Sequence, residues 1–260
     1  IEPKSANEIK KLIKESESYS IIARGNGRSY GNAAQIKNGT VIKLTNPAFK
    51  KFKFNTSNNA TEVTITTGAG LLLKDLIKVI VPKGYFLPVT PGTSKITIGG
   101  AIASDVHGKN HSKSGSFGNH LESIVIIDGN GILKVLKPDL SCNIKTREEF
   151  WATIGGMGLT GVIVEATFKL KKISNSLMEV YSEKFYNLND LIENMILKEK
   201  NYDYNVAWID CFNENFRSVL NSANHSKDIK VKDKKSKYYL KRNFIITIPS
   251  FIKFRIITST

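Results

Sequence analysis

Apolar residues recur at helical spacing over 7–17, where Ile9, Leu12 and Ile13 stand among lysines and glutamates. That period predicts an amphipathic helix, with Ser5 or Asn7 as its cap. Residues 20–23 form a short apolar run that leads into a glycine-rich loop, as a buried strand would. Residues 40–44 and 49–54 predict strands, with an Asn/Ser/Thr turn at 55–59. At 62–67 the pattern alternates and is β-branched, a strong strand signal, and Gly68-Ala69-Gly70 ends it. A helical run at 71–81 is stopped by Pro82 and Lys83-Gly84. Residues 85–89 are extended. Residues 121–128 and 131–136 predict a hairpin through Asp128-Gly129-Asn130-Gly131, with the apolar run 124–127 as a buried strand. A helix is expected at 146–154. Thr146 and Glu149 have the spacing of a capping box, and Phe150 and Trp151 lie on its packed side. Another glycine-rich turn, 155–161, precedes a strand at 162–172. Beyond Ser174 the character changes: a helix is expected at 187–200, a strand at 205–212, a basic polar loop at 227–237, and an apolar-basic stretch at 238–260.

The 260 residues, 41% hydrophobic, suffice for one large domain or two smaller ones. No apolar run reaches eighteen residues, so no membrane span is expected, and no secretory signal is visible. Cys142 and Cys211 form neither a disulfide framework nor a metal-ligand spacing, and are expected to be free thiols. The net charge of +15 favours an anionic partner. It concentrates at 227–241, and no nucleic-acid motif with interleaved aromatics accompanies it. A lysine-rich surface or a face toward lipid phosphate is therefore expected rather than nucleic acid.

Two glycine clusters carry the candidate chemistry. The first is Ala23-Arg24-Gly25-Asn26-Gly27-Arg28-Ser29-Tyr30-Gly31-Asn32-Ala33. The second lies within 90–120, with glycines at 92, 99, 100, 108, 115 and 118 and three of the chain's four histidines. Glycine lets a backbone approach a ligand that a Cβ would keep away. Residues 99–103 read as a short buried helix whose free N–H groups would suit phosphate. The first loop does not fit the dinucleotide fingerprint, because its glycines fall at 25, 27 and 31. His107, His111 and His120 have no carboxylate or Cys at ligand spacing, so no metal is expected.

Together these loops resemble the FAD-binding domain of the vanillyl-alcohol oxidase, or PCMH-type, flavoprotein superfamily. Arg24–Gly31, then Pro91-Gly92-Thr93-Ser94-Lys95-Ile96-Thr97-Ile98-Gly99-Gly100 through Asn110-His111, and Ser114–His120, resemble within it the flavoprotein family of decaprenylphosphoryl-β-D-ribose 2′-epimerases. The resemblance covers about 1–172. It implies an α+β chain: a PCMH-type FAD-binding domain of two α/β subdomains over 1–172, then the N-terminal part of a substrate domain over 173–260. Because relatives continue further, the chain is expected to be truncated.

The resemblance also implies the site. FAD would be contacted by Ala23, Arg24, Gly25, Asn26, Gly27, Arg28, Ser29, Tyr30, Gly31 and Asn32 of the first loop. Gly92, Thr97, Ile98, Gly99, Gly100, Ser104, His107, Gly108, Lys109 and Asn110 would follow from the second, with Val162 and Ile163 by the adenine. Tyr30 stands where many members carry a flavin-linked His, so the implied FAD is non-covalent. His107, Lys109 and Tyr30 are the implied catalytic residues; a purely structural His107 remains an equal reading, and His111 and His120 read as structural. The implied reaction moves hydride from C2 of a polyprenyl-phosphate-linked sugar to flavin N5, in the making of a cell-wall arabinan precursor. A nicotinamide-dependent short-chain reductase would then act as partner, in a cytoplasmic or peripherally membrane-associated setting. An aldonolactone or other carbohydrate oxidase, and a non-catalytic flavin-binding fragment, are the competing readings.

Overall fold

The computed structural model describes residues 1–16, 20–55, 62–139, 143–212 and 216–227. Most of the turn expected at 55–59, the thiol of Cys142, and the stretches expected at 227–237 and 238–260, apart from Lys227, lie outside these residues.

Helix α1 (Ala6–Glu15) is capped by Ser5, whose hydroxyl accepts the Glu8 N–H at 3.2 Å. Its apolar stripe buries Ile9 completely. Strand β1 (Ile21–Arg24) pairs in parallel with β2 (Thr40–Lys43) as a two-stranded sheet. The strand expected at 49–54 is divided. Pro47–Phe49 forms a 3-10 turn capped by Asn46, because proline fixes a φ suited to the first position of a helical turn. Strand β3 begins only at Phe52 (Phe52–Asn55).

The larger sheet joins β3, β4 (Val63–Gly68), β5 (Tyr85–Phe86), β6 (Leu121–Ile127), β7 (Leu133–Leu136) and β8 (Val162–Lys172). Its order is β3-β4-β8-β6-β7, wholly antiparallel, with β5 paired to the end of β8. Helix α2 (Leu73–Ile80) and helix α3 (Ile98–Ala103) supply the apolar layer over it. Leu73, Leu76, Ile80, Ile98 and Ile102 are fully buried with Ile65, Ile124 and Phe168 of the strands. Each such side chain contributes about 1.5–3 kcal/mol by leaving water.

A short helix, α4 (His111–Ser114), follows the second glycine cluster. The helix expected at 146–154 is α5 (Ile144–Thr153), and its start corrects the expectation. Asn143, not Thr146, caps it: the Asn143 side chain accepts the Thr146 N–H at 2.8 Å. Glu149 does not fold back to the helix start. Both its oxygens lie 3.0 Å from Lys134 Nζ on β7.

Lys134 also reaches Asp128, at 3.1 Å, in the β6–β7 turn. The Asp128 carboxylate accepts the N–H groups of Asn130 and Ile132, each at 2.9 Å. Burial alone would raise its pKa, but these hydrogen bonds and Lys134 more than offset that and hold it below the usual value. A depressed carboxylate stabilises the fold above its unfolded pKa of about 3.9, and that contribution fades as pH falls. Asp128→Asn is therefore expected to flatten the acid limb of a stability–pH curve from urea unfolding between neutral and about pH 3. An unchanged limb would remove the carboxylate from this role.

After β8 a second antiparallel sheet forms from β9 (Met178–Phe185), β10 (Tyr204–Ile209) and β11 (Ser218–His225), ordered β10-β11-β9. Helix α6 (Leu188–Glu199), capped by Asn187, lies against it. Lys198 of α6 holds Glu183 of β9 at 2.9 Å. Residues Ile1–Lys227 form one compact unit.

Candidate functional site

The two glycine clusters meet. Asn26 donates from its side chain to Lys95 O at 2.8 Å, and a Cβ on Gly25 would collide with Thr97 Oγ1. Between and beside them opens a cavity of about 690 Å³, within the range of roughly 300–1,000 Å³ usual for small-molecule and cofactor sites. Every residue from Ala23 to Tyr30 lines it, as do Gly92, Thr97, Gly99, Gly100, Ser104 and Ile163.

The expected anion site at the start of α3 is not there. The helix exists, but its first amides are taken. Ile98 N–H donates to Leu71 O at 2.9 Å and Gly99 N–H to Ala69 O at 2.8 Å. Gly100 N–H donates to Thr97 Oγ1 at 3.1 Å. In return Leu73 N–H donates to Ile96 O, so the starts of α2 and α3 are stitched to each other's approach chains. Sequence shows the cap residue but not the passing carbonyls, which come from residues about thirty positions upstream.

The first loop is different. None of the backbone amides of Gly25, Asn26, Gly27, Arg28 and Ser29 donates to a protein acceptor among the described residues. Gly27 has φ +62°, and a Cβ there would sit 2.6 Å from Arg24 Nη2. Arg24 also holds the loop's return by donating to Ala34 O at 3.3 Å. The loop thus presents a turn of unpartnered amides beside two guanidinium groups, the donor set that a diphosphate needs. Tyr30, 99% exposed, stands at the cavity's edge.

Other expected residues lie away from this lining. Ile98 is fully buried in the core and Val162 in the β6–β8 ladder, where it pairs with Ile127. Gly31 and Asn32 are exposed beyond the lining. His107 and Lys109 are exposed just past the end of α3. His107 forms an isolated bridge with Ser116, and its ring meets His111 edge-on at 5.6 Å. Gly108 is packed against Thr90: a Cβ there would lie 2.8 Å from Thr90 O. Asn110 is buried, and its side-chain amide donates to Pro88 O at 2.8 Å and Ser114 Oγ at 3.0 Å. His120 Nε2 lies 2.8 Å from Ser114 O. Among the described residues no group of His, Cys, Asp or Glu is placed to hold a metal ion.

The structure adds lining beyond the expected FAD contacts. Ala33 and Ala34 continue the first loop, Ile96 and Ala103 flank α3, and Met157 and Gly161 come from the turn before β8. Met157 has φ +52° and is anchored by its N–H to Ala103 O at 2.8 Å. Gly161, at φ +147°, leaves no room for a Cβ, which would lie 2.5 Å from Ile127 O. The glycine-rich turn was a usable signal for this wall; the carbonyl of Ala103 was not.

A glycine-walled cavity beside amides with no acceptor among the described residues suits a nucleotide cofactor. The chain belongs to the FAD binding domain family, which it matches over residues 1–137, and FAD is its cofactor. The chain is similar to decaprenylphosphoryl-beta-D-ribose oxidase of Mycolicibacterium smegmatis, with 37% identity over 195 residues, 75% of this chain and 40% of that protein. It is also similar to an uncharacterized protein in the mprA 5′ region of Streptomyces coelicolor, with 34% identity over 140 residues, 54% of this chain and 36% of that protein. An uncharacterized oxidoreductase of the fasciation locus of Rhodococcoides fascians is 23% identical over 189 residues, 72% of this chain and 40% of that protein. The chain thus spans about two fifths of the length of these relatives. No helix among the described residues is long and apolar enough to cross a membrane.

Proposed function

We propose that this chain is the cofactor-holding part of an oxidoreductase that oxidises the C2 hydroxyl of a polyprenyl-phosphate-linked sugar, with FAD bound non-covalently. The observation that carries the reading is the joining of both glycine clusters around one cavity in an FAD-binding domain. The similarity to a decaprenylphosphoryl-ribose oxidase narrows the substrate class.

In this reading the amides of Gly25 to Ser29 receive the diphosphate, and Arg28 neutralises it from the exposed side of the loop. Gly99 and Gly100 line the cavity without side-chain bulk, which lets the cofactor lie close to α3. Ile163, Met157 and Gly161 form the apolar wall of the cavity. Tyr30 has no imidazole to bond the flavin. His107 and Lys109, exposed past α3 and outside the cavity lining, would in this reading serve the reacting end, His107 by taking the hydroxyl proton and Lys109 by supplying positive charge. Flavin, when bound, supplies the hydride acceptor.

The test is spectroscopic. The purified chain should be yellow or take up added FAD, and acid precipitation should release all the flavin. A longer chain covering the full length of the relatives should bleach under nitrogen with a polyprenyl-phosphoribose. Flavin retained covalently would overturn the non-covalent reading. Rapid bleaching by a free aldonolactone, with reoxidation in air, would replace the lipid-sugar substrate by a soluble carbohydrate.

A further inference from the structure

The segment that carries His107 and Lys109 is held from two sides. On the inner side Val106 N–H donates to Ala101 O at 3.0 Å, and Asn110 is tied to Pro88 and Ser114. On the outer side the contacts converge on the start of β10. Asn205 N–H donates to Lys109 O at 2.8 Å. Two residues earlier, Asp203 stands between two lysines. Its Oδ2 accepts from Lys171 Nζ of β8 at 2.7 Å, and its Oδ1 lies 3.5 Å from Lys113 Nζ of α4. The Asp203 N–H donates to Asn224 Oδ1 of β11 at 2.8 Å. Asp203 therefore joins the large sheet and α4 through its carboxylate and the second sheet through its backbone N–H.

The surroundings favour a fixed geometry. Lys171 Nζ lies 5.2 Å from the centroid of the Tyr204 ring. The Tyr204 hydroxyl is 3.4 Å from His225 Nε2, and His225 Nδ1 is 3.0 Å from Asn175 O. The hydrogen bond from Lys171 holds the Asp203 carboxyl below its usual range, against the opposing effect of burial, so the anion persists across neutral pH. Neither Asp203 nor Lys113 lines the cavity. A change at either leaves every residue that lines the cavity in place.

We propose that Asp203 is a positioning residue: its carboxylate, clamped between Lys113 and Lys171, sets the place of the His107–Lys109 segment relative to the cavity. The value of that placement for catalysis rests on the function proposed above; the clamp itself does not. A carboxylate shared by two ammonium groups differs from an exposed single pair, which contributes little by itself. Here the two cations come from different elements, so the anion couples their positions. The Lys109 carbonyl bond gives the clamp a second grip two residues along.

Amide hydrogen exchange on the full 260-residue chain tests this. In Asp203→Asn the amides of 108–114 should exchange roughly tenfold faster, as local opening predicts, while FAD affinity stays within about twofold. Asp203→Glu should recover most of the protection. Lys113→Met, which removes the α4 arm together with the 3.5 Å contact of Lys113 Nζ with Lys200 O, should give the same local rise. Unchanged protection of 108–114 in both Asp203→Asn and Lys113→Met would overturn the proposal. So would faster exchange spread equally over β4, β6 and β8, which marks general destabilisation. Failure of every form, wild type included, to bind FAD would end the cofactor reading, while the exchange pattern would still decide the clamp.

Discussion

Gly25→Val is expected to weaken FAD binding roughly tenfold to a hundredfold, the equivalent of about 1–3 kcal/mol of overpacking. Even the first carbon of the new side chain would collide with Thr97 Oγ1. That oxygen has nowhere to go: Thr97 is 7% exposed, and its hydroxyl accepts the Gly100 N–H. Rotating it away uncaps α3, which by itself costs about 0.5–2 kcal/mol. The cheaper response is for the first loop to move outward, carrying its unpartnered amides away from the second cluster. Titration of flavin fluorescence against protein measures the loss. Gly129→Ala is the control, since a Cβ there meets nothing within 4 Å and the position lies in the β6–β7 turn. Equal FAD affinity in Gly25→Val and wild type would show that the cofactor does not depend on the meeting of the two loops.

Phe168→Ala should cost about 3–5 kcal/mol, the range for removing a buried aromatic ring. Against a total stability of about 5–15 kcal/mol for a domain, that removes a large share of the margin. Phe168 is fully buried on the central strand β8, in register with Ile65 of β4 and Leu121 of β6. Its ring lies 5.3 Å from that of Phe117, whose N–H bonds back to Val106 O at 2.9 Å next to His107. The cavity's far support should therefore loosen with the core, and FAD binding should fall in step with the urea midpoint. Phe52→Ala, at a position 42% exposed, should shift that midpoint little. Comparable shifts for the two variants would contradict the placement of the core.

Much of this architecture was legible where local pattern and tertiary burial agree. The strand at 162–172 is observed with those bounds as β8, because its apolar residues repeat on one face at the period that a pleated sheet buries. Helix α1 was legible from its stripe and from Ser5. By contrast β9 and β11 were not anticipated. In β9 most side chains are exposed, so no burial pattern marks it, and in β11 the buried positions include Ser218 and Ser222. Pairing with neighbours creates those strands, and pairing is not a local property. The cap of α5 was misplaced for a related reason: Glu149 has the spacing of a capping box, but Lys134 of β7 stands across from it.

The candidate site divides the same way. The chain alone pointed to two glycine clusters as backbone that can approach a ligand closely, because residues without side-chain bulk are needed there, and both clusters line one cavity. Only the tertiary structure decided which amides remain to receive an anion. Those at the start of α3 are consumed by carbonyls of Leu71 and Ala69, whereas those of Gly25 to Ser29 find no protein acceptor among the described residues. It decided too that Asp203, unremarkable in sequence, meets lysines from two other elements. Bulk and backbone freedom are written residue by residue; which partner satisfies a polar group depends on what the rest of the chain brings within hydrogen-bonding distance.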